Sequence, residues 1–455
     1  MPWRDLCMKS FKKILRAVAF VLIFLVLCSV CEFVLLQFDG NAYVTVHDLE
    51  REEDLDVVVI GNSEAARHFD PYLFQELTNK NSYNFSRLSS TVATQYTMME
   101  QMFQSHKPEK VLVFFDAYTL VKLNPDTLEH TEESAFVQAS IWPYLRNPVE
   151  RLKYAMSLAS LDRAYLDRFF AWRLHMPRTL GGVISNICNK VDDLMGNGRY
   201  YETTRKSLSN EISTYVGKGF EPLHVDQITT AEQISSFCEF PYVKQEIQIP
   251  EETKVWIRKM DALCRKNDCQ LIAVNIPLLP EVAISRMLNI YDAQSRLFEE
   301  MGVTYWNLNY AKADVLQQMD VSYYYDASHM TWAGANILTE SLADIFNVYQ
   351  SGEDVSDMFY TTEEYLASID YVTNIWMTQA SQEDQQILTA YSNHGTDVVP
   401  EYCFVKVDSD GRETVLQNYS TENVCRAKLE QGEKFRLYTR NASDSAQLPL
   451  CFELE

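Results

Sequence analysis

Apolar residues in this chain follow two rhythms, and their order along it predicts an α/β fold. Leu55 to Ile60, Val111 to Asp116, Cys269 to Ile276 and Val303 to Leu308 are dense runs without alternation, as expected of strands covered on both faces. Ser82 to Phe85 offers a fifth, shorter strand. Between the runs, apolar residues recur at helical spacing. Leu73, Phe74 and Leu77 mark a helix over Phe69 to Lys80, and Tyr96, Met99, Met102 and Phe103 mark one over Thr91 to His106. Val255, Ile257, Met260 and Leu263 do the same for Glu251 to Asn267, before a helix over Val282 to Met301 that Gly302 ends. Thr331 caps the last, running to Val348, with Trp332, Ala335, Leu338, Leu342 and Phe346 expected inward. Strand and helix in alternation imply a doubly wound parallel five-stranded sheet, flavodoxin-like in its winding.

The rhythm breaks in three places. Residues 17–38 are almost wholly apolar and follow a basic tail, 1–16, holding Arg4, Lys9, Lys12, Lys13 and Arg16. About 20 apolar residues span a bilayer, and a basic flank stays cytoplasmic. The segment is read as an uncleaved single-pass signal anchor in the cell membrane, with residues from about 40 onward extracytoplasmic. A cleaved signal peptide and a buried core helix are the rivals. Residues 120–250 form an insertion in the α/β domain of 44–350, and it is expected either to line the substrate cleft or to rest on the membrane. Residues 351–397 read as a connector with a short helix near Glu363 to Ile369, and 398–455 as a small all-β domain of short alternating runs. Aromatic residues of that domain suit a sandwich core better than a glycan platform.

Charge and cysteines narrow the chemistry. Sixty-three acids against 40 bases leave a net charge of -23, which repels nucleic acid. Seven of the ten cysteines lie beyond the anchor. Cys264 and Cys269 could bridge locally, and one bridge could form among Cys403, Cys425 and Cys451. No spacing suits zinc, a P-loop or a dinucleotide, so neither metal nor cofactor is expected.

Two turns carry candidate chemistry. Gly61 ends the first strand, which places Asn62 and Ser63 outside the carboxyl edge of the sheet, where open α/β folds bind ligands. Tyr325 to Met330, reading YDASHM, returns to the same edge before the last helix. Ser63 as nucleophile, His329 as general base and Asp326 as the carboxylate orienting the imidazole make an acyl-transfer set. The backbone N–H of Asn62 or Ser63 is a candidate oxyanion donor. Asp116 closes the third strand at the same edge and is expected to shape the site. Arg67 and His68 are candidate substrate contacts, although a lone histidine or arginine is more often structural or exposed.

Four segments resemble the SGNH hydrolase superfamily. They are GNSEAARHFDP after the first strand, YNFSRLSS, the strand ending FFD, and DASHMTWAG before the closing helix. The likeness is strongest to the membrane-anchored branch that includes the DltD-like proteins of teichoic acid D-alanylation and related polysaccharide acetylation proteins. It covers roughly residues 55–118 and 250–348, and it implies Ser63 as nucleophile, His329 as base and Asp326 as its partner. Where that family has a glycine after the second strand to donate a backbone N–H to the oxyanion, Ser89 or Ser90 stands here, and the resemblance implies that one of them supplies its own N–H instead. Where ordinary members have an asparagine amide after the third strand, this chain has Asp116, Ala117 and Tyr118. The resemblance implies serine-dependent O-acyl transfer, of D-alanyl or acetyl class, onto a cell-wall or exported polysaccharide. An acyl donor or a membrane-embedded acyl exporter would be its partner. The alternatives are an esterase or deacetylase of exported glycans, and a non-catalytic anchored scaffold or glycan-binding protein.

Overall fold

The computed structural model describes residues 2–116, 120, 140–141, 145, 170–224, 242–317, 319–382, 385–428, 433–444 and 449–454. The dense runs form one parallel sheet of β1 (Val57–Ile60), β2 (Ser82–Asn84), β3 (Lys110–Phe114), β4 (Gln270–Asn275) and β5 (Thr304–Asn307), in the order β2-β1-β3-β4-β5. Successive residues of each strand point to opposite faces, and both faces are covered. Val58, Ile60, Val111, Val113, Leu271 and Ala273 pack with Met99, Met102, Ile257 and Met260. Val57, Val59, Leu112, Phe114, Ile272 and Val274 pack with Phe69, Phe74, Leu342 and Phe346 on the other side. Burying a side chain of this size contributes about 1.5–3 kcal/mol, which is why these strands read as unbroken apolar runs.

The helices follow the expected order with shifted ends. The stretch from Ser63 to Thr78 holds two helices, α3 (Ser63–His68) and α4 (Pro71–Thr78), because Asp70 caps the second and Pro71 opens it. Before them lie α1 (Pro2–Leu35) and α2 (Gly40–Arg51), and after them α5 (Val92–Met102). Within α1, Lys12–Leu35 is long and apolar enough to span a membrane or serve as a signal anchor. In the insertion, α6 (Leu180–Leu194) and α7 (Arg199–Ser207) are joined by a turn in which Gly196 and Gly198 take positive φ. Leu145 to Trp172 is largely helical and aromatic in its sequence pattern, but the stretch lies almost wholly outside the described residues. Then come α8 (Glu251–Lys266), α9 (Arg286–Met301) and α10 (Trp332–Ser351). Trp332, expected inward, is 37 % exposed at the first turn of α10.

A further helix, α11 (Thr362–Ser368), leads into antiparallel sheets that begin at Val372, well inside the expected connector. The strands β6 (Val372–Gln382) and β7 (Gln385–His394) pair along their length, and the outer half of β6, residues 378–382, is exposed and almost wholly polar. That composition hid them. With β8 (Pro400–Val407), β9 (Glu413–Ser420), β10 (Val424–Ala427), β11 (Lys434–Asn441) and β12 (Leu450–Leu454) they form sheets ordered β10-β7-β6 and β12-β11-β8-β9. Phe404, Phe435 and Tyr402 fill the core of this region. The described cysteines are unbridged, Cys264 and Cys269 included.

Candidate active site

Gly61 follows β1 at a point where a Cβ would lie 2.5 Å from Ala65 Cβ and 3.0 Å from Phe114 Cβ, so only glycine lets α3 start this close to the sheet. Asn62 caps α3, its side-chain oxygen accepting the Glu64 N–H at 3.0 Å. Ser63 is the first residue of α3 and is half-buried.

The partner loop is built as a tight turn. Asp326 Oδ1 accepts the N–H groups of Ser328 at 2.9 Å and His329 at 2.7 Å, while the Tyr325 N–H donates to the His329 carbonyl at 2.7 Å. Tyr324, fully buried beneath, donates its hydroxyl to the Pro277 carbonyl. On the far side Thr331 caps α10. Held this way, His329 places Nε2 2.9 Å from Ser63 Oγ and Nδ1 2.7 Å from Asp326 Oδ2. Serine hydroxyl, imidazole and carboxylate form one hydrogen-bonded line across residues 266 positions apart. It can accept the serine proton and keep the resulting imidazolium paired.

Two described parts of the insertion brace this line, which nothing in the sequence signalled. The Glu221 N–H donates to the Ala66 carbonyl on α3, and the Leu223 carbonyl accepts the Trp332 N–H beside the histidine loop. One extended segment therefore ties both halves of the site together.

The remaining expected residues separate in role. Ser89 has φ +54, the left-handed conformation for which glycine is suited, and its N–H makes no hydrogen bond among the described residues. Ser90 is occupied, because its N–H donates to the Arg87 carbonyl and its hydroxyl to the Gly61 carbonyl at 2.8 Å. That hydroxyl fastens the 87–90 turn to the end of β1. Asp116 lies just past β3, and Ala117 and Tyr118 lie outside the described residues. His68 has no route to a substrate: it is fully buried, and its Nε2 accepts the Met330 N–H at 2.8 Å. Its ring meets that of His329 edge-on with centroids 6.2 Å apart, so it backs the histidine loop. Arg67 is half-buried, with its Nε buried and without a hydrogen-bond partner among the described residues.

In sequence, the chain matches no protein-family model and no curated protein. In structure, it is similar to a GDSL-like lipase from Bacteroides thetaiotaomicron at 9% identity and a TM-score of 0.30, over 69% of this chain and 98% of that one. It is also similar to a gut microbial diltiazem-metabolizing enzyme at 11% identity and a TM-score of 0.25, over 88% and 73%. Likenesses this distant carry no argument, so any assignment for Ser63, His329 and Asp326 rests on their geometry alone.

Beside the line opens a cavity of about 300 Å³ with an unusual wall. Phe115, Ile276, Leu278 and Met287 make it apolar, while the carboxylates of Glu64, Asp116 and Asp326 converge on it. Glu64 went unnoticed in the sequence because an acid in the first turn of a helix is ordinary. Burial, then the charges of Asp116 and Asp326, push its carboxyl well above its usual range. For Asp326 burial also acts upward, but the His329 hydrogen bond and charge, with the two N–H donors, hold it well below. His68 is held well below its usual value, first by burial and then by the charges of His329 and Arg67.

Proposed function

We propose that the protein is an extracytoplasmic serine acyltransferase that moves a small acyl group through an acyl-Ser63 intermediate onto a hydroxyl of a cell-wall or exported polysaccharide. The observation that carries the reading is the continuous line from Ser63 Oγ through His329 to Asp326, at 2.9 and 2.7 Å.

As Ser63 Oγ attacks the donor carbonyl, His329 Nε2 takes its proton, and Asp326 pairs the imidazolium through Nδ1. The carbonyl oxygen becomes an oxyanion, for which the N–H groups of Ser63 and Ser89 are the proposed donors. Collapse expels the donor's leaving group, which takes the proton back from His329. A polysaccharide hydroxyl then repeats the cycle on the acyl-enzyme. Ser90 and Asn62 position the donors in this scheme, because their side chains are already bonded.

The cavity's carboxylates favour an acyl group bearing an ammonium, of the D-alanyl class, over a neutral acetyl group. A donor could be delivered by a membrane-embedded exporter beside α1. Hydrolysis is the second reading, because the Asp326 side chain is 38 % exposed and water can reach the line.

The test is intact-mass labelling of the full-length protein with a fluorophosphonate. One adduct is expected, absent in Ser63→Ala and formed about 10³-fold more slowly in His329→Ala. An adduct that persists in Ser63→Ala refutes the assignment. Supplying alanyl and acetyl esters with a polyol acceptor then separates transfer from hydrolysis.

A further inference from the structure

Helix α6 is built inside out. A surface helix normally turns its apolar stripe to the core and its polar face to water. Here the two buried residues are Asn186 and Lys190, one turn apart. Leu180, Ile184, Cys188, Val191 and Met195, at helical spacing, form an exposed stripe, with Leu194 beside it. Leu180 and Leu194 are each 76 % exposed and Met195 72 %. Nothing among the described residues covers this face.

The polar face has a specific partner. Asn186 Nδ2 donates to the carbonyls of Val34 at 2.9 Å and Leu36 at 3.1 Å. Lys190 Nζ donates to the carbonyls of Glu32 at 3.1 Å and Phe33 at 2.8 Å. Glu32, Phe33 and Val34 lie in the last turn of α1, where carbonyls run out of intrahelical partners, and Leu36 directly follows it. The ammonium also meets the negative end of the helix dipole. Two side chains of α6 thus cap α1 and fix where along it α6 sits.

That position identifies the occupant of the apolar face. On α1 the exposed apolar residues run from Ile14 to Phe33. The 24 residues of Lys12–Leu35 reach about 36 Å as a helix, against a hydrocarbon core of about 30 Å. The junction at residues 32–36 therefore falls at the edge of the hydrocarbon, the depth at which an amphipathic helix lies in the plane of the interface.

We propose that α6 is an interfacial helix whose stripe of Leu180, Ile184, Val191 and Met195 is buried in the lipid of the leaflet from which α1 emerges. The inference rests on reading α1 as a membrane span. Of the two places expected for the insertion, α6 takes the membrane, while the segment around Glu221 and Leu223 braces the site. The active domain is then held to the bilayer at two points, which fixes its orientation as well as its distance.

The test uses the full-length protein in phosphatidylcholine and phosphatidylglycerol vesicles, its native exposed and α1 cysteines replaced by serine. An environment-sensitive fluorophore is attached at Ile184→Cys, and in a second variant at Leu180→Cys. Phe20→Cys in α1 and Asp410→Cys in the C-terminal sheets are the references. Blue-shifted emission at 184 and 180, quenched about twofold by lipid spin-labelled near the headgroup, is expected of an interfacial helix, with no quenching at 410. Emission as in water at 184 and 180, with quenching at 20, overturns the proposal and leaves the span. Loss of quenching at 20 as well removes the span on which it rests. A blue shift without lipid quenching places protein over the stripe and also overturns it.

Discussion

Two carboxylates flank Ser63, and the protein treats them in opposite ways. Asp326 faces N–H donors and an imidazole, and these hold it ionised against its burial. Glu64, one residue along the chain from the serine, faces burial and two further carboxylates, and it keeps its proton well above its ordinary value of 4.5. The difference teaches where the site can tolerate charge. On the histidine side a fixed negative charge compensates the imidazolium of the proposed reaction. On the cavity side an ionised Glu64 would repel an oxyanion forming at the neighbouring serine, and protonation removes that repulsion.

The largest effect is expected on the ionised side. Asp326→Asn removes the charge and offers the wrong hydrogen-bonding partner to Nδ1, so turnover should fall about 10³-fold. Because the native carboxyl is depressed, its contribution is complete above the unfolded value near 3.9 and is lost only as pH falls through the lower native value. The deficit of Asp326→Asn should therefore be the same at pH 6 and pH 8, measured as the rate of fluorophosphonate labelling. A deficit that shrinks toward pH 6 would mean that Asp326 titrates in this window, and the contrast with Glu64 would dissolve.

His68 supports the same side from behind. His68→Ala leaves the Met330 N–H buried without its acceptor, at a cost of about 1–3 kcal/mol. Turnover should drop about tenfold as the loop loosens, a rough figure for a modest misplacement of the base. Wild-type stability should itself decline below about pH 6.5, because a histidine held neutral in the native state takes up its proton on unfolding. In His68→Gln, which can still accept that N–H, turnover should recover while this acid sensitivity disappears.

These residues also show what the sequence could and could not disclose. The sheet was legible because each strand is buried on both faces, so burial and chain pattern coincide from Val57 to Ile60 and from Lys110 to Phe114. Ser63, Asp326 and His329 were legible because strand ends fix which turns share an edge. What was hidden depended on contacts distant in sequence. The hydrogen bond that His68 accepts comes from Met330, 262 positions on, and the bracing by Glu221 and Leu223 from a stretch with no periodicity. Likewise the outer half of β6 is exposed and almost wholly polar, which left 351–397 reading as a connector.

On the cavity side the effects are smaller. Asp116→Asn removes one of the charges that disfavour ionisation of Glu64 and one that would attract an ammonium. The preference for an alanyl over an acetyl ester should fall about fivefold in kcat/KM, the value of roughly 1 kcal/mol. An unchanged ratio would mean that the acidic wall does not choose the acyl group.

The smallest effect is the most direct measure of the comparison. An acid with a raised native pKa binds its proton more tightly folded than unfolded, so its native state is least penalised below pH 4.5. The penalty then grows as pH climbs toward the native value. Glu64→Gln keeps the shape and cannot ionise. At pH 8 it should melt about 2 °C above wild type, on the order of 1 kcal/mol, and at pH 4 the two should melt together. Opposite behaviour of the Asp326 carboxyl is expected in the same scans, since its native pKa is lowered. An offset for Glu64→Gln that is equal at both pH values would mean a packing effect with no titration behind it. The relief of repulsion beside Ser63 would then have to come from something other than a retained proton on Glu64.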